Sequence, residues 1–226
     1  MLCSGRRGYA GETPIVPQPI PAGGLRLAVP QSYVLDALAP EVAGAFADAC
    51  SILSRTGARI IDLPLAELSE MSTINANGGF APIEAYAWHK PLLERRGGEY
   101  DPRVRSRIER ARAMTGVEYI RLRAARSDLI SRVTARTTGF DALVMPTVAI
   151  TAPPIAAFEQ DEDYRRLNAL LLRNTSVINF LDRCAITVPI GTVVPPVGLM
   201  IVGEHGEDRH LLAVGRGIEA ALNRAF

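Results

Sequence analysis

Apolar residues come in short runs near the end of the chain, and each run stops abruptly. Ala142–Met145 stops at Pro146-Thr147, Ala185–Val188 at Pro189, and Val197–Val202 at Gly203. Buried strands that each deliver a loop to a sheet edge have this pattern. Upstream, Leu25–Val29 is a short strand ended by Pro30. After Pro40, Val42, Phe46, Ala49, Cys50 and Leu53 recur at helical spacing until Gly57. Ala58–Leu63 is a second strand, stopped by Pro64. Strand, helix and strand in this order predict a parallel crossover unit. Residues 65–95 are helical in pattern, with a break at Asn77-Gly78-Gly79. Asp101 caps a further helix, which Gly116 interrupts. Leu122, Ala125, Leu129 and Val133 then share one face of a long helix that ends by Gly139. A long loop over 147–161 holds Pro153-Pro154, and loops of that length are often functional. A helix around 162–172, strands over 185–188 and 197–202, and a helix over 208–224 complete the chain.

The first 24 residues hold Pro14, Pro17, Pro19, Pro21, Gly23 and Gly24 and read as an arm; residues 25–226 form the domain proper. Such an arm suits the middle of a longer protein. At 226 residues the chain can bury about 70% of its unfolded surface. Hydrophobic residues at 48% and charged residues at 22% place it among globular proteins. A mean hydropathy of +0.11 fits either a large parallel-sheet core or an apolar surface awaiting a partner.

A net charge of +1 gives no overall pull toward nucleic acid or membrane. No run approaches the ~18 apolar residues of a membrane span, and the N-terminus has no signal-peptide pattern. Cys3, Cys50 and Cys184 have no metal-ligand spacing; they fit a reducing, cytoplasmic location. Ten arginines lie between Arg103 and Arg136, interrupted by Glu109, Glu118 and Asp128. With so few interleaved aromatics they read as a solvated helical face rather than an RNA-binding stripe.

None of the ten serines lies in a G-x-S-x-G run, and most fall in predicted helices. His89, His205 and His210 have no zinc-site spacing. No catalytic residue, metal site or cofactor site is expected.

Five stretches, in order, resemble the amidase signature family. They are the strand–helix–strand from Leu25 to Leu65, the excursion GGFAPIEAYAWHKPLLERRGGEYDPRVRSRI, the strand and loop FDALVMPTVAITAPPI, the segment NTSVINFLDRCAITVP, and PPVGLMIVG with its following helix. Asp182-Arg183 replaces the family's glycine-containing step, and Cys184 stands where a proline is usual. The resemblance implies a partial mixed, mostly parallel β-sheet flanked by helices. It also implies hydrolysis of an amide C–N bond through a serine acyl-enzyme. The family's lysine and two serines lie upstream, so this chain matches the C-terminal half alone and is expected to be inactive by itself. Lys90 lies in the helical excursion and cannot replace the lysine.

By resemblance, Pro146 and Thr147 lie at a strand end facing the site, with Arg173, Thr175 and Asn179 in the segment packing beneath it. These residues would contact a small amide substrate once the missing half is supplied. The Pro146–Thr147, Pro189 and Gly203 strand ends are expected at one edge of the sheet. Leu25–Val29, Ala142–Met145 and Val197–Val202 are expected to lack cover on one side, so the chain would self-associate or bind its missing half. A decayed half retained as a protein-interaction module is the alternative, and an RNA-contacting domain a distant third.

Overall fold

The computed structural model describes residues 17–191 and 195–224; residues 1–16 of the arm, with Cys3 and Ser4, lie outside them. Five strands form one sheet: β1 (Arg26–Pro30), β2 (Arg59–Leu63), β3 (Ala142–Pro146), β4 (Ala185–Ile190) and β5 (Val197–Val202). Their order is β2-β1-β3-β5-β4. β1 pairs in parallel with β2 and β3, whereas β5 runs antiparallel to β3 and β4. Four strands therefore point one way and β5 the other, a mixed sheet.

The reversal of β5 corrects one expectation. Pro146 stands opposite Leu199 and Pro189 opposite Gly198, so the ends of β3 and β4 meet the start of β5. Gly203 lies at the other end, where its N–H donates to the Cys184 carbonyl. A run that stops in the sequence marks a strand end but not its direction. Direction follows from the connection, and the short β4–β5 link enforces an antiparallel pair.

Helices cover both faces. The crossover helix α1 (Pro40–Arg55) has Pro40 in its first turn and buries Val42, Ala45, Phe46, Ala49, Ile52 and Leu53. With α7 (Asp208–Asn223) it packs on Leu27, Val29, Val144, Val188, Leu199 and Ile201. After β2, a short 3-10 turn leads to α2 (Met71–Ile74), α3 (Phe80–Arg96), α4 (Pro102–Glu109) and α5 (Gly116–Thr137). α5 and α6 (Asp161–Phe180) cover Ala28, Leu143, Met145, Met200 and Val202 on the opposite face. Thr115 and Glu118 close a reciprocal capping box at the start of α5, which is why a helix begins at Gly116.

β1, β3 and β5 are thus sandwiched, with Leu27, Ala28, Val144, Met145, Leu199 and Ile201 fully buried. The expectation that these strands would lack cover is overturned: their near-continuous apolar sequence reflects burial on two faces. The two edge strands are half-covered: in β2 only Leu63 is buried, and in β4 Ala185, Thr187 and Pro189 are exposed while Val188 and Ile190 are buried.

Two further readings change. α6 runs unbroken to Phe180, so NTSVINF is the last part of a helix. Pro17–Gly24 of the arm is not loose: Ala22 is buried, the Ile20 N–H donates to the Ala213 carbonyl, and Arg216 Nη1 donates to the Pro17 carbonyl. Gly217 permits this contact, since a Cβ there would overlap the Ile20 carbonyl.

Six of the ten arginines between Arg103 and Arg136 are exposed, as a solvated face requires, and Arg103, Arg105, Arg126 and Arg132 are half-buried. Arg132 forks onto both Glu70 oxygens at 2.7 Å and reaches Asp128, which raises its pKa and lowers that of Glu70. Arg126 donates to the Phe180 carbonyl and Arg136 to the Pro64 carbonyl. A guanidinium can satisfy several carbonyls at once, and these side chains clasp segments together.

Candidate functional site

The ends of β3 and β4 and the start of β5 place Thr147, Thr187 and Gly198 side by side. The Thr147 N–H donates to the Gly198 carbonyl at 2.9 Å. The Thr147 and Thr187 hydroxyl oxygens are 3.1 Å apart, on two strands separated by β5. Glycine at 198 makes that approach possible. A Cβ there would lie 2.6 Å from Thr187 Cγ2 and 2.9 Å from Thr147 Oγ1. The hydroxyl pair faces solvent on the sheet face that carries α5 and α6. The sequence names Thr147 as a site candidate and does not name Thr187, whose partner is 40 residues away.

Asn174, the first residue of the segment NTSVINFLDRCAITVP, is the buried centre of the same edge. It is fully buried, and its amide donates to the Val34 carbonyl at 3.0 Å and the Pro146 carbonyl at 2.7 Å. Its Oδ1 accepts from Arg173 Nε at 3.0 Å. Arg173 in turn donates to the Val34 and Asp36 carbonyls and lies over the Tyr33 ring. Partial burial pulls the Arg173 guanidinium below its usual pKa, with Asp36 and Tyr33 opposing. The loop they hold carries two non-glycine residues at positive φ, Tyr33 at 67° and Ala37 at 47°. Such conformations persist where surrounding contacts over-determine them.

Of the four residues expected at the site, Thr147 is half-buried at the strand end and Arg173 clamps the neighbouring loop. Thr175 donates its hydroxyl to the Leu172 carbonyl within α6, and Asn179 is exposed. The asparagine that bonds loop backbone is therefore Asn174 rather than Asn179. In a continuous helix, residues 174, 177, 178 and 181 point at the sheet, a phase that appears only once the segment is known to be helical.

At the opposite end of the sheet, the buried Arg183 side chain pairs with Glu204 at 3.0 Å and donates to Thr137 Oγ1 at 2.7 Å. Burial lowers the Arg183 pKa, and Glu204 opposes it. Cys184 Sγ donates to the Glu204 carbonyl. This cluster locks β4 to β5 and faces away from the threonines. Among the described residues, no group of His, Cys, Asp and Glu is placed to hold a metal ion. Among the same residues, no helix is long and apolar enough to cross a membrane.

A helix-covered mixed sheet with polar side chains gathered at one strand end defines an α/β protein of the layered kind. The chain belongs to the amidase family, whose model matches residues 13–212. It is 30% identical over 210 residues to the 2-amino-5-chloromuconic acid deaminase of Comamonas testosteroni, covering 92% of this chain and 46% of that protein. Identity to the acylamidase of Rhodococcus erythropolis is 29% over 206 residues, covering 87% and 42%. A crystal structure of an amidase superposes with a TM-score of 0.77 at 26% identity, over 94% of this chain and 48% of the other. Kluyveromyces lactis allophanate hydrolase superposes at 0.79 and 20% identity, a likeness of fold, over 92% and 33%. The chain spans about half the length of the curated relatives it matches.

Proposed function

We propose that this chain forms the C-terminal half of an amidase that hydrolyses a C–N amide bond through a serine acyl-enzyme. In this reading the lysine and both serines come from polypeptide outside these 226 residues, and the chain alone is inactive. The reading is supported by the family match and by where the nucleophile candidates sit. Ser51, Ser54, Ser106, Ser127, Ser131 and Ser176 lie within helices, and Lys90 is exposed on α3. None of these six stands on a strand-end turn. Ser32 does follow the end of β1, beside Tyr33 at φ 67°, but among the described residues the base that an activated serine requires is not hydrogen-bonded to it.

The single observation that carries the proposal is the half-covered β4 beside the Thr147–Thr187 pair. β4 alternates exposed and buried residues at the margin of the sheet that lies next to β5 and the two threonines. Because Cys184 accepts from Gly203, the backbone groups of Ala185, Thr187 and Pro189 point outward. Pro189, which has no N–H, costs the β4–β5 ladder nothing there. The catalytic half would dock on this side, in a reducing cytoplasm. Thr147, Arg173, Thr175 and Asn179 would then form the far wall of the acyl pocket for a small amide.

The test measures turnover of a simple aryl amide by this chain alone and together with an amidase N-terminal half carrying the Ser–Ser–Lys set. Turnover that needs both parts is expected. Turnover by this chain alone, abolished by one Ser→Ala change in it, would overturn the proposal. The interaction-module reading uses the same surface and differs in giving no turnover even when both parts associate.

A further inference from the structure

The helical excursion between Phe80 and Ala113 has a small core of its own. Leu93, Gly97, Ile108 and Ala111 are buried, yet they belong to neither of the two apolar clusters that flank the sheet. Its internal ties are local: His89 Nδ1 lies 2.8 Å from the Tyr100 hydroxyl, and Arg105 donates to Glu109 at 2.9 Å. Both connections to the body are short. Gly78 and Gly79, at φ 101° and 71°, lead in, and the extended pair Met114–Thr115 leads out. A cleft of about 320 Å³ lies between them, walled by Asn77, Gly79 and Met114 on one side and by Arg121, Leu122 and Ala125 of α5 on the other. At the pivot, the Phe80 ring packs edge-on against Tyr119 and beside Phe180.

Phe80 and Ile83 at the start of the excursion pack against the body's apolar cluster, and further out Arg103 ties the excursion to the body. Its Nε donates to Asp161 Oδ1 at 2.7 Å, Nη1 to the Phe158 carbonyl at 2.8 Å and Nη2 to the Glu159 carbonyl at 2.7 Å. The guanidinium also lies 4.7 Å from the Tyr164 ring centroid, and Arg107 reaches the Tyr164 hydroxyl. The clasped residues end the loop that begins at Thr147.

We propose that Phe80–Ala113 is a hinged cap, latched by Arg103, that opens as a unit and releases the 155–160 end of the loop that begins at Thr147. The start of that loop stays anchored through buried Ala149 and its bond from Ala39. A subunit with its own core, glycine hinges and one multidentate latch opens more readily than the sheet it rests on. Gating of an amide site rests on the amide-hydrolase reading, whereas the motion does not.

Hydrogen exchange of the full 226-residue chain tests the motion without reading activity, so the two ideas fail separately. Arg103→Ala should speed exchange in 80–113 and 155–160 by about tenfold or more, the factor matching loss of about 1.4 kcal/mol, while β1, β3 and β5 keep their protection. Asp161→Asn removes the charge of the one ionised partner of Arg103, on an exposed side chain, and should act in the same direction, more weakly. Unchanged exchange in Arg103→Ala, equal loss across the central strands, or a cap that opens while 155–160 stays protected would each overturn the proposal.

Discussion

Thr147 and Thr187 stand on strands that never pair, yet their hydroxyl oxygens are 3.1 Å apart because Gly198 on the strand between them has no side chain. Replacing Gly198 with Ala forces a Cβ into that gap. The change should destabilise the chain by about 1–3 kcal/mol, the usual cost of overpacking. Urea unfolding would measure this. In the Gly198→Ala background, Thr187→Val should cost less than in the parent, because the hydroxyl pair is already broken. Full additivity would show that the pair carries no coupling.

Asn174→Ala leaves the Pro146 carbonyl without its amide donor, while the Val34 carbonyl keeps only Arg173. A loss of about 1–3 kcal/mol is expected, the cost of one unsatisfied buried group. Asn174→Asp should be worse, because a carboxylate cannot donate to either carbonyl. Asn179→Ala, at an exposed position, should change stability by less than about 0.5 kcal/mol. Denaturant midpoints that rank Asn179 above Asn174 would contradict the assignment.

Gly217→Ala should lift Pro17–Ala22 from α7, because a Cβ at 217 has no room beneath the Ile20 carbonyl. Limited proteolysis is the measurement. Cleavage between residues 17 and 24 should become rapid in the variant and remain slow in the parent, with the sheet intact in both.

Burial, with the Asp62 carboxylate adding to it, pushes the Cys50 thiol up from 9.0 to about 11. The folded state therefore favours the neutral thiol. This contribution is fully present below pH 9 and is lost as the pH rises toward 11. A shift of this size corresponds to at most about 2–3 kcal/mol. Unfolding free energies at pH 8 and pH 10.5 should differ more in the parent than in Cys50→Ala.

Glu70 shows the opposite sign. Hydrogen bonds from Arg132 hold its carboxyl below the ordinary value of 4.5, so its contribution is present above pH 4.5 and is lost as the pH falls through the lowered value. The pair is largely solvent-exposed, so the loss should stay below about 1 kcal/mol. Glu70→Gln should flatten the acid limb of the stability profile by that amount.

The sequence alone was enough to read the layered α/β class, the β1–α1–β2 crossover, the helix starts at Pro40 and Asp101, and the family. These rest on local rules: apolar period, proline and aspartate at helix starts, and abrupt stops at strand ends. Thr147 was legible because it follows a strand end. Thr187, Gly198 and Asn174 were not, because their roles depend on which strands become neighbours and on the phase of a helix whose end lies beyond its expected stop. The same holds for the arginines. Composition shows a charged, lysine-poor helix, whereas only packing brings Arg103 to the Phe158 carbonyl and Arg132 to Glu70. Strand direction, too, was decided by tertiary structure. Gly203 ends an apolar run just as Pro146 does, but β5 is reversed, so the two residues stand at opposite ends of one sheet. Local patterning sets what each segment becomes, and burial of both sheet faces sets which segments meet.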